Sequence, residues 1–177
     1  EAKQTLKQVF DKGNFPFDTP KPPRLIERIL QIASDKNSII LDSFAGSGTT
    51  AHAILNLNKR DGGNRKFILV EMEDYADSIT AERVKRVIKG YGEDKRAIEG
   101  TGGSFDYFEL GKPLFIGDNK EYLNEALGIN KIRQYIWYSE TRTSFICPAG
   151  SSNNTNLLGS KDQTAYYFYY EPEEITT

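Results

Sequence analysis

A short apolar run, Ser38-Ile39-Ile40-Leu41-Asp42, leads into the loop Phe44-Ala45-Gly46-Ser47-Gly48, and the chain resumes as Thr49-Thr50-Ala51 at the head of an amphipathic stretch. That order leaves few folds open. The run is too short and too apolar for a surface helix and reads as a strand buried on both faces of a parallel sheet. Glycines in the loop admit a tight turn and let the backbone approach another group with no Cβ in the way. The spacing predicts a helix from Thr49 to Asn58, with Ala51, Ile54, Leu55 and Asn58 on one stripe, broken by Asp61-Gly62-Gly63-Asn64. Lys66 to Glu71 reads as a second buried strand. Asp74 is placed to cap a further helix that turns Ala76, Thr80, Val84, Val87 and Ile88 inward and stops at Gly90.

Upstream, Pro22 and Pro23 stand where a helix start tolerates proline, ahead of Ile26, Ile29, Leu30 and Ala33 at i, i+3, i+4, i+7. Residues 1–23 are otherwise short on apolar periodicity, and their prolines predict an extended approach. Residues 24–90 therefore read helix, strand, helix, strand, helix: a βαβ core of an α/β fold, whose crossover is expected to be right-handed. Beyond Gly90 the pattern weakens. Phe105 to Leu110 reads as a third strand, Glu121 to Gly128 and Lys131 to Ser139 as helices, Thr143 to Cys147 and Thr164 to Tyr170 as strands, with a polar loop at Ser151 to Asn156. A boundary is expected near residues 111–120, with residues 1–110 as one part and a small α+β extension at 111–177 as the other.

At 177 residues, with 38% apolar and 27% charged, the chain is globular in composition and large enough to bury a core. A net charge of −2 gives no overall attraction to nucleic acid, although basic residues can still cluster locally. No run of 18 or more apolar residues is present, so no membrane span is expected. The first residues, Glu1-Ala2-Lys3-Gln4-Thr5, carry no signal pattern and no initiating methionine, and a cytoplasmic piece of a longer protein is the expectation. Cys147 is the single cysteine, which excludes an internal disulfide and fits a reducing compartment.

The chemistry gathers at the loop. Gly46 and Gly48 allow close approach, and the free N–H groups of the following helix favour a carboxylate or phosphate. Thr49 and Thr50 add hydroxyl donors there. Glu71 ends the next strand about 25 residues past Gly46, close to the ~20-residue spacing of a ribose-binding acid, and can accept from both ribose hydroxyls. Phe44 and Met72 are placed to flank an adenine ring. Strand, loop, helix, strand and terminal acid, in that order, point to a nucleoside. They do not choose between NAD and S-adenosylmethionine (SAM), because Gly46-Ser47-Gly48-Thr49-Thr50-Ala51 also fits the loose dinucleotide pattern. The loop is not a phosphate-binding P-loop, since no Gly-Lys-Ser/Thr follows.

Asp42-Ser43-Phe44-Ala45-Gly46-Ser47-Gly48-Thr49-Thr50 resembles motif I of amino-methylating DNA methyltransferases, of the D-x-F-x-G-S-G-T-T type. Thr19-Pro20-Lys21-Pro22-Pro23 resembles their motif X, and Glu71 matches the motif II acid. Phe105 to Phe115, Ile136 to Thr141, Leu157-Leu158-Gly159 and Thr164 to Tyr167 are similar to the C-terminal part of type III modification subunits. The resemblance implies part of a Rossmann-like methyltransferase sheet. SAM would be held by Lys21, Asp42, Phe44, Ala45, Gly46, Ser47, Gly48, Thr49, Thr50, Glu71 and Met72. Lys21 either reaches the SAM carboxylate or is a solvated turn residue, and the sequence leaves both open.

The implied parent is a DNA adenine-N6 methyltransferase that flips its target base and works with a restriction subunit and a second modification subunit. One departure stands out. The Asp/Asn/Ser-Pro-Pro-aromatic motif that holds the target amino group is not found: Pro22-Pro23 follows Lys21 and precedes Arg24, while Pro148 and Pro172 stand alone. In this motif order it lies upstream of residue 1, so no catalytic residue is assigned, and the chain by itself is expected to bind SAM without methylating DNA. Two other classes stay open beside this one. They are an NAD-binding half of an oxidoreductase, which would need a second βαβ half after Gly90, and a non-catalytic assembly module that docks a partner subunit.

Other features read blandly. His52, the single histidine, lacks Cys or His partners for a metal site, and no metal ligand is assigned. Arg83, Lys85, Arg86 and Lys89 read as a solvated basic flank with a Glu82–Arg86 pair, rather than a DNA contact. Tyr166 to Tyr170 reads as sheet core or interface before it reads as a stacking surface for bases.

Overall fold

The computed structural model describes residues 1–10, 17–146 and 156–170. They form two compact units, Glu1–Phe108 and Glu109–Thr177. The first holds α1 (Ala2–Phe10), α2 (Pro23–Ala33), β1 (Ile39–Asp42), α3 (Thr49–Asp61), β2 (Lys66–Leu69), a π-helical segment (Ala76–Ala81) running into α4 (Glu82–Lys89), and a short β3–β4 pair (Gly90–Tyr91, Ile98–Glu99).

β1 and β2 pair in parallel, Ile39 opposite Lys66 and Asp42 opposite Leu69, with α3 as their crossover. This is the expected βαβ core, in a chain of mixed helix and strand. Its strands alternate half-buried and exposed along their length. Ile40 and Phe67 pack on the Leu30, Ala53, Ile54 and Leu57 cluster, and Leu69 joins Ala51, Leu55, Val84 and Val87. The opposite face, Ile39, Leu41, Ile68 and Val70, is 45–65% exposed. Burial on both faces, expected for these strands, is therefore not observed: among the described residues, helices cover one side only.

α2 forms where the prolines predict it, with its first turn free of the need for N–H donors. Its inward stripe differs from the expected one. Leu30 is buried and Ile26 packs beside it, but Ile29 is 50% exposed and Ala33 is exposed. Glu27 takes the buried place instead, because Asn56 donates to it at 3.1 Å and Arg60 pairs with it at 3.0 Å from α3. Residues 2–10 form a helix that the sequence reading missed. Leu6, Val9 and Phe10 carry a helical repeat too brief to register as periodicity, and they bury against Ile79. Asp74 does not cap the fourth helical segment. That segment starts after Tyr75 with no side-chain cap, and its wide first turns carry Ile79 and Thr80 N–H back to the Tyr75 carbonyl.

Phe105–Leu110 is not a strand. No described strand lies beside it to take its backbone hydrogen bonds, and Phe105 instead packs on the Ala51–Val87 cluster. In the second unit, α5 (Ile129–Thr141) covers the expected helix, and β5 (Phe115–Ile116) pairs antiparallel with β6 (Tyr122–Leu123). Glu121–Gly128 is therefore helical only in part: Tyr122–Leu123 is β6, and Glu125–Leu127 is a 3₁₀ turn. Asn124 caps that turn, accepting from the Ala126 N–H at 3.2 Å, and donates through Nδ2 to the Pro113 carbonyl at 2.8 Å. β7 (Leu157–Lys161) and β8 (Thr164–Tyr167) form a hairpin. Thr143–Ile146 forms no strand, and Cys147 and Ser151–Thr155 lie outside the described residues. Trp137 of α5 is buried, edge-on to Tyr166 at 5.6 Å, with the glycine at 159 leaving room for its ring.

Candidate functional site

The glycine loop sits between the end of β1 and the start of α3, and β2 brings Glu71 beside it. Ala45 N–H donates to the Val70 carbonyl at 3.0 Å, so the loop stays paired to the second strand one residue past β2. Glu71 Oε2 accepts from Gly46 N–H at 2.7 Å, while Oε1 accepts from Met72 N–H at 2.9 Å and Glu73 N–H at 3.1 Å. The carboxylate thus closes the loop at the strand end. It also acts outward: partial burial first, then the negative charge of Glu71 and Glu73, pushes the Tyr75 phenol above its ordinary value.

The glycines are required by the backbone. Gly46 and Gly48 both have positive φ, 54° and 74°. A Cβ on Gly48 would stand 3.1 Å from the Thr80 carbonyl oxygen, and one on Gly46 3.2 Å from the Phe17 ring. Phe17 in turn meets Tyr75 edge-on at 5.4 Å.

The other expected site residues differ in where their side chains go. Phe44, in the loop after β1, and Met72, next to Glu71, are 86% and 90% exposed. Asp42, Ser47, Thr49 and Thr50 direct their side chains into the fold. Thr50 donates its hydroxyl to Asp42 at 2.5 Å, and Asp42 also accepts from Phe44 N–H at 3.2 Å. Thr49 donates to the Lys21 carbonyl at 3.3 Å, which ties the proline-rich segment to the head of α3. Ala45 is buried, and the Lys21 side chain is exposed. Among the described residues, the backbone N–H groups of Ser47, Thr49 and Thr50 donate to nothing. The loop therefore offers free backbone donors, whereas its hydroxyls are already engaged.

Sequence reasoning missed what lies behind the loop. Arg83 is fully buried. Its guanidinium donates to the Ser47 carbonyl at 3.1 Å, to Ser47 Oγ and Thr49 Oγ1 at 2.9 Å each, and to His52 Nδ1 from two nitrogens at 3.1 and 3.3 Å. Burial pulls its pKa down to about 10, so it stays charged at neutral pH. Burial, and then the Arg83 charge, push the His52 imidazole down to about 3. The solvated flank is thus corrected at Arg83. The Glu82–Arg86 pair does form, at 2.7 Å. A signal for Arg83 was present, since Thr80, Arg83, Val84 and Val87 repeat at i, i+3, i+4, i+7 and all are buried.

Among the described residues no cluster of three or more His, Cys, Asp or Glu could hold a metal, and no helix is long and apolar enough to cross a membrane.

Residues 1–82, the part that contains the loop, Glu71 and Thr80, match the family model described as DNA methylase. Over that part the chain is similar to DNA methylases. More particularly, the chain is similar to the Mod subunits of type III restriction-modification enzymes. It is 42% identical over 101 residues to the StyLTI Mod subunit of Salmonella typhimurium, covering 49% of this chain and 15% of that protein. It is 40% identical over 73 residues to the EcoP15I Mod subunit of Escherichia coli, covering 41% and 11%. The type II methyltransferase M.KpnI of Klebsiella pneumoniae is 52% identical over 70 residues, covering 40% and 16%. The chain therefore spans only a small part of the length of these relatives.

Proposed function

We propose that the first unit is the SAM-binding part of a Rossmann-like methyltransferase sheet. The whole protein is then the modification subunit of a type III restriction-modification system, acting in the cytoplasm. The observation that carries this reading is the 2.7 Å contact between Gly46 N–H and Glu71, which brings the glycine loop and the strand-end acid to one place across 25 residues of sequence.

The residues present fit the cofactor. Phe44 and Met72 offer exposed apolar surface for an adenine ring. Glu71 offers a carboxylate for ribose hydroxyls, which would exchange with its present partners, the loop N–H groups. The free N–H groups of Ser47, Thr49 and Thr50 and the buried Arg83 charge favour the SAM carboxylate. Lys21, beside the head of α3, is the exposed cation of the same region. Asp42 and Ala45 shape the loop from within. SAM supplies an activated methyl group with a thioether leaving group, so the protein's work is positioning and water exclusion.

The parent methylates adenine N6 in DNA and assembles with a restriction subunit and a second modification subunit. Residues 111–177 are an extension to the SAM-binding part, 1–110, and a docking element for a partner. Without an Asp/Asn/Ser-Pro-Pro-aromatic motif, this chain alone transfers no methyl group.

Calorimetry with SAM, S-adenosylhomocysteine and NAD tests the reading. Saturable binding of the first two is expected, and Glu71→Gln should weaken it by roughly 1–3 kcal/mol, the worth of charge-assisted hydrogen bonds. NAD binding with no SAM signal would make the site a dinucleotide pocket, and unchanged SAM affinity in the Gln variant would remove Glu71 from it.

A further inference from the structure

We propose that Arg83 and Thr80 form a clamp that sets the glycine loop in its ligand-ready shape, with Arg83 as a positioning residue that touches no ligand itself. The inference deepens the SAM reading and rests on it for the identity of the ligand, but the clamp is defined by protein contacts alone.

The loop is held from the front by Glu71 at Gly46 N–H. From behind, Thr80 Oγ1 donates to the Gly46 carbonyl at 2.5 Å. Three residues on, Arg83 takes the Ser47 carbonyl, the Ser47 hydroxyl and the Thr49 hydroxyl. Each backbone carbonyl from Gly46 to Ser47 therefore has a donor from one helical face. Both positive-φ residues, Gly46 and Gly48, lie inside the grip, and the Gly48 turn closes through its N–H to the Ala45 carbonyl at 2.9 Å.

The π-helical segment provides the face. Its wide turn lets Thr80 N–H reach Tyr75 and places the Thr80 carbonyl against Gly48. Such turns in an otherwise α-helical run cost hydrogen-bond geometry and recur where a side chain must be aimed. His52 completes the clamp. Held neutral at physiological pH, its Nδ1 accepts from Arg83 and prevents the guanidinium from swinging away. No carboxylate among the described residues pairs with Arg83, so its charge is satisfied by loop dipoles instead of a counter-ion. A structural arginine would ordinarily be neutralised. This one leaves its charge available to the loop it holds.

The test uses the full chain and two readouts: amide hydrogen exchange resolved by residue, and calorimetric affinity for S-adenosylhomocysteine. Arg83→Met is expected to speed Gly48 exchange at least tenfold more than exchange in β2, and to weaken the affinity at least tenfold. It should also move the His52 ring ¹⁵N signals, which report the loss of the Nδ1 donor. Thr80→Val, nearly isosteric, should show the same loop-selective exchange and carries the test if Arg83→Met does not fold. Lys85→Met, on the exposed side of α4, should change neither. Equal acceleration in the loop and in β2 would reduce Arg83 to general stability and overturn the proposal, as would unchanged affinity in a folded variant. A native chain that binds no S-adenosylhomocysteine, yet shows loop-selective exchange in the variants, would sink the SAM reading and leave the clamp standing.

Discussion

His52 and Arg83 show how one buried pair divides the work of charge. The arginine, though burial lowers its pKa to about 10, stays charged at neutral pH with acceptors for all three of its nitrogens, and the imidazole stays neutral because it is buried and then because the Arg83 charge stands beside it. This has a pH signature. The folded-state pKa of His52, about 3, lies below the ordinary value of 6.5. Between these values the unfolded chain binds the extra proton, so the contribution is fully present above about 6.5 and is lost as pH falls toward 3, at about 1.4 kcal/mol per unit. Thermal melts from pH 7 to pH 4 should show the midpoint falling in the native chain. His52→Asn keeps an acceptor for Arg83 without a titrating ring, and should flatten the part of the fall between pH 6.5 and 5. An identical pH profile in both chains would mean that His52 ionises as freely when folded as when unfolded. The same pair explains why a lone histidine and a basic flank looked uninformative: neither signals its partner until α3 and α4 are in contact.

At the scale of elements, packing chose among faces that periodicity left equivalent. α2 offers Ile26, Ile29, Leu30 and Ala33 at helical spacing, yet only Leu30 is buried and Ile26 partly so. The helix is rotated so that Glu27 meets Asn56 and Arg60 of α3. Leu30→Ala should therefore cost about 2–5 kcal/mol in a denaturant melt, as deletion of a core side chain does. Ile29→Ala should cost about 1 kcal/mol or less, since half of its surface stays in water. Comparable losses at both positions would place Ile29 in the core after all. α1 teaches the converse: three apolar residues within nine suffice for a buried helix when Ile79, Phe17 and Tyr75 wait to receive them. At Glu121–Gly128 the strand Tyr122–Leu123 pairs with β5, which leaves only the 3₁₀ turn Glu125–Leu127, capped by Asn124, of the expected helix.

At the scale of the whole molecule, the first unit carries an uncovered apolar sheet face of Ile39, Leu41, Ile68 and Val70. Parallel strands of this composition are ordinarily covered on both sides. The face predicts that the folded chain binds the dye ANS under native conditions and self-associates with rising concentration. Leu41→Thr combined with Ile68→Thr should lower the dye signal while shifting the thermal midpoint little, because both side chains are more than half exposed. A large drop in midpoint would show that the face is packed in solution. The second unit is separately organised around Trp137, Tyr166 and the β7–β8 hairpin. In the aromatic run Tyr167 and Tyr169 face water, while Tyr166 and Phe168 are half-buried.

The order of residues determined the βαβ core, the glycine loop and its strand-end acid, because each rests on local facts: apolar runs, glycine's access to positive φ, and a spacing that one crossover fixes. Tertiary structure alone decided which side of each element is buried, and that Arg83, Thr80 and His52 stand behind the loop. Those assignments depend on contacts across 31–36 residues of chain, where a side chain's role is set by what another element brings to it.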